Sequence, residues 1–431
     1  MEGEVKYMRG LLCAAVGTLV VVAGCGKAGE GPVLSSGYKL YEAASTSSTP
    51  IVAVIDARSK ATERRLPWGT LSPNGSHFYA LNSKTLQDID PRTGVVLQGM
   101  QLPRSFDMPP ATISGIRGGL SQNGRWLVLQ AFDRTASGLV TATHMLVADT
   151  SEFKVAARID LKGLFNFDAV SNDGQRVYVI EYTGASDKSS YRVRVYEIAA
   201  GQLGSYTVVD KGGSVEPMTG VRLSSVASPD GQWLYSVYAR EKGGAFVHAL
   251  NLSQPYAFCL DLPGSGLSSK AEAFQWSLAL SADGRHLYAA NGAMGVVTQI
   301  DNRDGYTPTV VRTGHVGSSG PAASVVAQNV QAKEFGPSGS LLSHDERTLV
   351  MAGKTGVVWV DTATLRAGTR ALTGWTVWSL AGSPDGNVIY VLNDAGAIAA
   401  LSMVDGRTTA SFDPAAGSPM GLLRVEGIPA P

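Results

Sequence analysis

ASPDGQWLYSVY, at Ala227–Tyr238, is one of seven versions of a single phrase. The others are LSPNGSHFYALN (Leu71–Asn82), LSQNGRWLVLQ (Leu120–Gln130), VSNDGQRVYVI (Val170–Ile180), LSADGRHLYAAN (Leu280–Asn291), LSHDERTLVMAG (Leu342–Gly353) and GSPDGNVIYVLN (Gly382–Asn393). Each sets a small or apolar residue and a Ser before a polar turn, usually closed by Gly, and then runs into a short alternating apolar strand.

Working outward from the phrase, the segment before the turn reads as a strand a, of which Phe274–Leu280 is one, and the segment after it as a strand b. A third strand follows and ends in polar turns at Asp90–Gly94, Asp149–Ser151, Asp301–Gly305 and Asp361–Thr364. These lead into a fourth strand such as Val95–Gln101 or Val155–Leu161, so each unit is a four-stranded antiparallel meander. The turn glycines or their replacement fall at 75, 124, 174, 231, 284, 346 and 386, giving spacings of 49, 50, 57, 53, 62 and 40 residues. Such spacings suit propeller blades. A four-stranded sheet cannot cover its own two faces, and radial packing around an axis covers them while leaving only short edges. The expected fold is all-β, a single β-propeller of four-stranded antiparallel blades.

The termini set the blade count. Tyr38–Ala44, Ile51–Asp56 and Thr62–Leu66 read as strands b, c and d without a strand a, and Pro419–Val425 reads as a strand a with nothing after it. Joined, they make an eighth blade shared by the two ends of the chain. Eight blades are favoured; seven follow if residues 36–49 are coil.

The SPDG turn, the LYxxN strand after it and the DxxTG-like turn further on resemble the YVTN-type repeat of bacterial β-propellers, over roughly residues 37–426. That resemblance implies the fold and leaves the chemistry open. Glu346 departs from it by standing where the other units have Gly. Either a positive φ there costs about 1 kcal/mol, or the turn is of another type.

The first 25 residues read as targeting. Met8-Arg9-Gly10 is a short basic start, and Leu11–Ala23 is an apolar run too short to span a membrane comfortably. It ends in Val22-Ala23-Gly24-Cys25, which resembles the bacterial lipobox and implies that Cys25 is lipidated as the mature N-terminus. Residues 26–37 follow as a flexible tether, and 38–431 as the propeller. Gly26 in place of Asp implies, by resemblance to Gram-negative lipoproteins, the outer membrane and its periplasmic face. Cys13 lies in the removed segment, so Cys259 is the remaining thiol, expected as a small buried hydrophobe. The 36 basic and 36 acidic residues cancel, which argues against nucleic acid as a partner.

Antiparallel order puts the a–b and c–d turns at one end of the ring and the b–c and d–a connections at the other. The first set is short and uniform. The second varies, at residues 102–112, 182–190, 210–220, 239–244, 263–271 and 313–336, so ligands are expected at that end. Trp68, Arg117, Asp168, Arg222, Gln275, Trp276, Trp375 and Trp378 fall at the mouths of the a strands and are the candidate binding funnel. The aromatics also suit packing between blades, and Arg117, Asp168 and Arg222 also suit pairing with one another. No HExxH, GxSxG, CxxC or phosphate-loop motif occurs, and Asp301–Gly305 lacks the ligand spacing of a calcium loop, so no catalytic residue, metal or cofactor is expected. The expected function is a lipid-anchored envelope module that binds a protein, peptide or glycan. The alternative is a propeller enzyme, either a lactonase-like hydrolase or a quinoprotein-dehydrogenase-like protein.

Overall fold

Seven of the eight sheets carry, between strands a and b, a hydrogen-bonded turn built from the repeated phrase. The computed structural model describes residues 37–47, 49–109, 118–183, 190–208, 217–240, 244–263, 275–317, 339–353 and 355–428. The chain divides into residues 1–33 and residues 34–431. The signal segment, Cys25 and nearly all of the expected tether lie outside the described residues.

In every one of the seven phrases the Ser hydroxyl donates to the Asp or Asn two residues on, for example Ser228 Oγ to Asp230 Oδ1 and Ser121 Oγ to Asn123 Oδ1 at 2.6 Å. The same Ser oxygen accepts the N–H five residues on, as from Trp233 at 2.9 Å. The Asx oxygen accepts a further N–H, as from Gln232 at 3.0 Å. The side chains thus replace backbone partners and force the reversal. The closing position has φ between 69° and 75° in the six units with Gly, and Glu346 adopts φ 59°. The first of the two readings of Glu346 therefore holds: the turn is of the same type and the residue is strained.

Residues 34–431 form eight four-stranded antiparallel blades, an eight-bladed β-propeller, with no helix among the described residues. In blade 4 strands a to d are Val221–Ala227, Trp233–Ala239, Ala245–Asn251 and Ala257–Leu262, in that order from the axis. In blade 2 the inner position is represented by Leu120, bridged to Leu127 of strand b. In blade 3 the outer strand is broken: Gln202–Leu203 pairs with strand c, then Val208 bridges Val193, and Met218–Thr219 pairs with Ser190–Tyr191. Blade 8 takes its inner strand, Ser418–Gly427, from the C-terminus and Tyr38–Thr46, Thr49–Asp56 and Ala61–Pro67 from the N-terminus. The expected closure is what holds the ring.

The core lies between blades. Each hydrophobic cluster joins residues of two neighbouring sheets; Tyr41, Val52 and Leu66 of blade 8, for instance, meet Leu71, Phe78 and Ile89 of blade 1. All eight interfaces are filled this way. A fully buried Leu or Phe contributes about 1.5–3 kcal/mol, so a blade gains stability only by leaning on its neighbours. The turns add polar links: Asn172 accepts from Asn123 N at 2.9 Å in blade 2 and donates to Asp230 O at 3.0 Å in blade 4. Arg424 of blade 8 donates to Pro73 O in blade 1 at 2.7 Å.

Candidate functional site

Strand a of blade 3, Phe165–Val170, carries a bulge at Asp168, since Phe167 pairs with Val179 and Ala169 with Tyr178. The extra residue frees Asp168 from the ladder's alternation and turns it toward blade 4. There Arg222, second in strand a, reaches back, and Arg222 Nη1 donates to Asp168 Oδ1 at 2.5 Å. Both side chains are buried, 3% and 2% exposed. Arg222 Nε has no hydrogen-bond partner. Burial alone would lower the guanidinium pKa, but the adjacent Asp168 carboxylate outweighs it and holds the pKa above its ordinary value.

Tyrosines surround this pair toward the loop-rich end. Tyr182 closes strand b of blade 3 and accepts a hydrogen bond from Asn166 Nδ2 at 3.0 Å. Tyr191, second in strand c of the same blade, stacks on Tyr238 of blade 4 at 5.6 Å. Tyr238 in turn stacks on Phe246 at 5.3 Å and meets His248 edge-on at 6.2 Å. Burial raises the pKa of all three phenols, so they stay protonated donors. Cys259 borders the same cluster and is half-buried, which corrects the expectation of a buried thiol. It sits on the outer strand of blade 4, Ala257–Leu262, on the face that packs toward blade 3.

The site's position is set by the chain's connections. Four of the six variable segments begin or end here: 182–190 joins the strands ending at Tyr182 and starting at Ser190, 210–220 leads to Val221, 239–244 joins Ala239 to Ala245, and 263–271 leaves Leu262. The strand ends that adjoin four of the variable connections therefore carry a buried cluster of tyrosine and arginine.

The other expected funnel residues are dispersed. Trp276 is 1% exposed in the core between blades 4 and 5. Trp68 packs between blades 8, 1 and 2, Trp375 between blades 6 and 7, and Trp378 between blades 7 and 8. Gln275 is half-buried just before strand a of blade 5. Arg117 lies outside the described residues. Of the eight, the structure brings together Asp168 and Arg222.

Sequence reading missed His144, which bridges two carboxylates: Nε2 lies 2.9 Å from Asp133 and Nδ1 2.5 Å from Asp160. These bonds hold its pKa above the ordinary value, the Asp160 bond most. The three sit on strands b, c and d of blade 2, and only the register, which pairs His144 with Ala131 and with Asp160, aligns them. Asp301, weighed as a calcium ligand, instead accepts from His286, Gln299 and Arg303. Among the described residues no group of three or more His, Cys, Asp or Glu is placed to hold a metal ion.

Neither a protein-family model nor a curated protein sequence matches the chain. Solved structures do. AztD from Citrobacter koseri aligns at TM-score 0.51 with 12% identity, over 92% of this chain and 99% of its own. A periplasmic gluconolactonase, PpgL, of Pseudomonas aeruginosa aligns at 0.44 with 20% identity, over 91% and 99%. BamB from Moraxella catarrhalis aligns at 0.47 with 12% identity, over 80% and 87%. The likeness to AztD is one of fold; the other two add nothing to it.

Proposed function

We propose that this propeller is a binding module of the bacterial cell envelope, anchored by lipid at Cys25, that engages a protein, peptide or glycan through the loop-rich end of blades 3 and 4. The observation that carries the reading is that four variable connections start or end at the strand ends of one interblade interface, packed with buried tyrosine and arginine. Buried Tyr182, Tyr191, Tyr238 and Arg222 hold these strand ends rigid, and variable loops on a rigid scaffold are where binding groups usually sit. The opposite end is spent on its own turns, where Ser and Asx side chains satisfy the backbone. The lipobox-like Val22–Cys25 and the residues after it supply anchor and reach.

Photo-crosslinking in intact cells tests it. A benzoylphenylalanine at Ser190 is expected to give discrete adducts, and one at Ser343 in a uniform turn is not. Equal adducts from both positions, or none from Ser190, overturn the assignment of the binding end. Cys25→Ser is expected to release the protein from the membrane fraction, and retention there overturns the anchor.

A further inference from the structure

One corner of the uniform end departs from the rest. Blade 8 joins strands c and d through Ala57-Arg58-Ser59-Lys60, where Arg58 and Lys60 stand exposed. Arg64, on the strand that follows, reaches across to the c–d turn of blade 1 and donates to Pro91 O and Arg92 O. Those acceptors are neutral carbonyls, so they leave its charge uncancelled. Arg92 is itself exposed. The carboxylates nearby are committed: Asp56 and Glu63 to Lys39, Asp90 to Arg92 N and Thr93 Oγ1 with Arg92 Nε 3.8 Å away, and Asp385 to Ser383 and Tyr38. With Lys39 included, cations outnumber carboxylates here, in a chain whose formal charge is zero.

An independent observation lies beside Arg92. Val95, Val96 and Leu97 follow it at 57%, 47% and 52% exposure, and the outer strand they open, Val96–Gln101, carries no charged residue. Outer strands are ordinarily guarded by charge, as Lys154, Arg158, Asp160 and Lys162 guard that of blade 2. Cations bordering exposed apolar side chains suit a membrane interface, where the first meet anionic headgroups and the second enter the boundary beneath. The corner also adjoins the start of the first strand, since Ala57 N donates to Tyr38 O at 3.0 Å. From Cys25 to Gly37 the chain can span at most about 40 Å.

We propose that this corner of blades 8 and 1 rests on an anionic phospholipid surface, with Arg58, Lys60, Arg64 and Arg92 at the headgroups and Val95, Val96 and Leu97 at the acyl boundary. The inference rests on the envelope-anchor reading and deepens it, because a short leash that enters the ring at Tyr38 brings this corner to the bilayer first. Such a contact is reversible and salt-sensitive by itself, so it orients an anchored ring without replacing the anchor. It leaves the b–c and d–a connections turned toward a partner.

Co-sedimentation with vesicles tests the proposal. The ring is complete within residues 34–431, so a chain starting at Gly26 keeps it and carries no lipid. This chain is expected to bind vesicles of phosphatidylglycerol and phosphatidylethanolamine at low salt, to leave them at high salt, and to bind pure phosphatidylcholine about tenfold more weakly. Arg58→Gln/Lys60→Gln and Val96→Ser/Leu97→Ser are each expected to weaken binding about tenfold with an unchanged melting temperature, since all four side chains are exposed. Arg347→Gln/Arg366→Gln, exposed on blade 6, is expected to bind as wild type. No binding to the anionic vesicles, equal binding to both kinds, or the same loss in the blade 6 variant overturns it. Cys25 is absent from this chain, so the outcome is separate from that of Cys25→Ser, which tests the anchor.

Discussion

Arg222 Nη1 bonds Asp168 Oδ1 at 2.5 Å across the gap between the innermost strands of blades 3 and 4, 54 residues apart in the chain. Taking both ions from water is costly, and their mutual attraction offsets that cost only while both are present.

Removing one partner should therefore cost more than removing both. Asp168→Ala is expected to destabilise the protein by about 3–5 kcal/mol, because it leaves a guanidinium buried and unpaired. Asp168→Leu/Arg222→Met should recover much of that loss. Urea unfolding of the three proteins checks this, and a single variant within about 1 kcal/mol of wild type would show that the pair is hydrated.

At Glu346 two opposing effects separate in two substitutions. The residue holds φ 59° where its equivalents are Gly, yet its Oε1 accepts Ala282 N of blade 5 at 2.6 Å. Glu346→Gly relieves about 1 kcal/mol of strain and loses a bond worth about the same, so its stability should stay near wild type. Glu346→Ala loses the bond and keeps the strain, and should be the less stable of the two by about 1 kcal/mol. If Ala equals Gly in thermal unfolding, the strain account is wrong.

Deleting residues 418–431 removes the inner strand of blade 8 and its pairing with Tyr38–Ser45. Tyr41 then loses its hydroxyl bond to Glu426, at 3.0 Å, and Pro73 its bond from Arg424. An open ring exposes apolar faces on blades 7 and 8, so the truncated chain is expected to lose cooperative unfolding, followed by circular dichroism. An unchanged melting curve would mean that the ring does not depend on its seam.

The sequence exposed strand order, blade count and seam because each rests on local chemistry: a Ser, an Asx and a Gly at fixed offsets, and alternation between turns. The site was legible only as isolated hints. Asp168 and Arg222 stand out as charges on inner strands, but the bulge that turns Asp168 toward blade 4 has no signature in FNFDAV. Trp276 and Trp378 occupy equivalent strands and are absorbed by interblade packing, as any large apolar ring is where two sheets need filling.

Glu42 sits at 0% exposure on strand b of blade 8, and neither carboxyl oxygen has a hydrogen-bond partner. Its neighbours on the same strand face, Leu40 and Ala44, pack against blade 7. Burial first, and the Asp413 charge second, push its pKa up to about 8. A carboxyl raised in this way contributes fully below its unfolded pKa, near 4.3, and loses stability as pH climbs toward the folded value. At pH 7 the penalty is about 4 kcal/mol, at 1.36 kcal/mol per pH unit above the unfolded pKa. Glu42→Met, of similar length and apolar, should therefore stabilise the protein by roughly that amount at pH 7, and the pH-dependent part of the gain should vanish by pH 4. Urea unfolding at both pH values checks it: a gain of equal size at pH 4 and pH 7 would show that Glu42 does not titrate with folding, and a loss at pH 7 that its carboxylate is held by a donor.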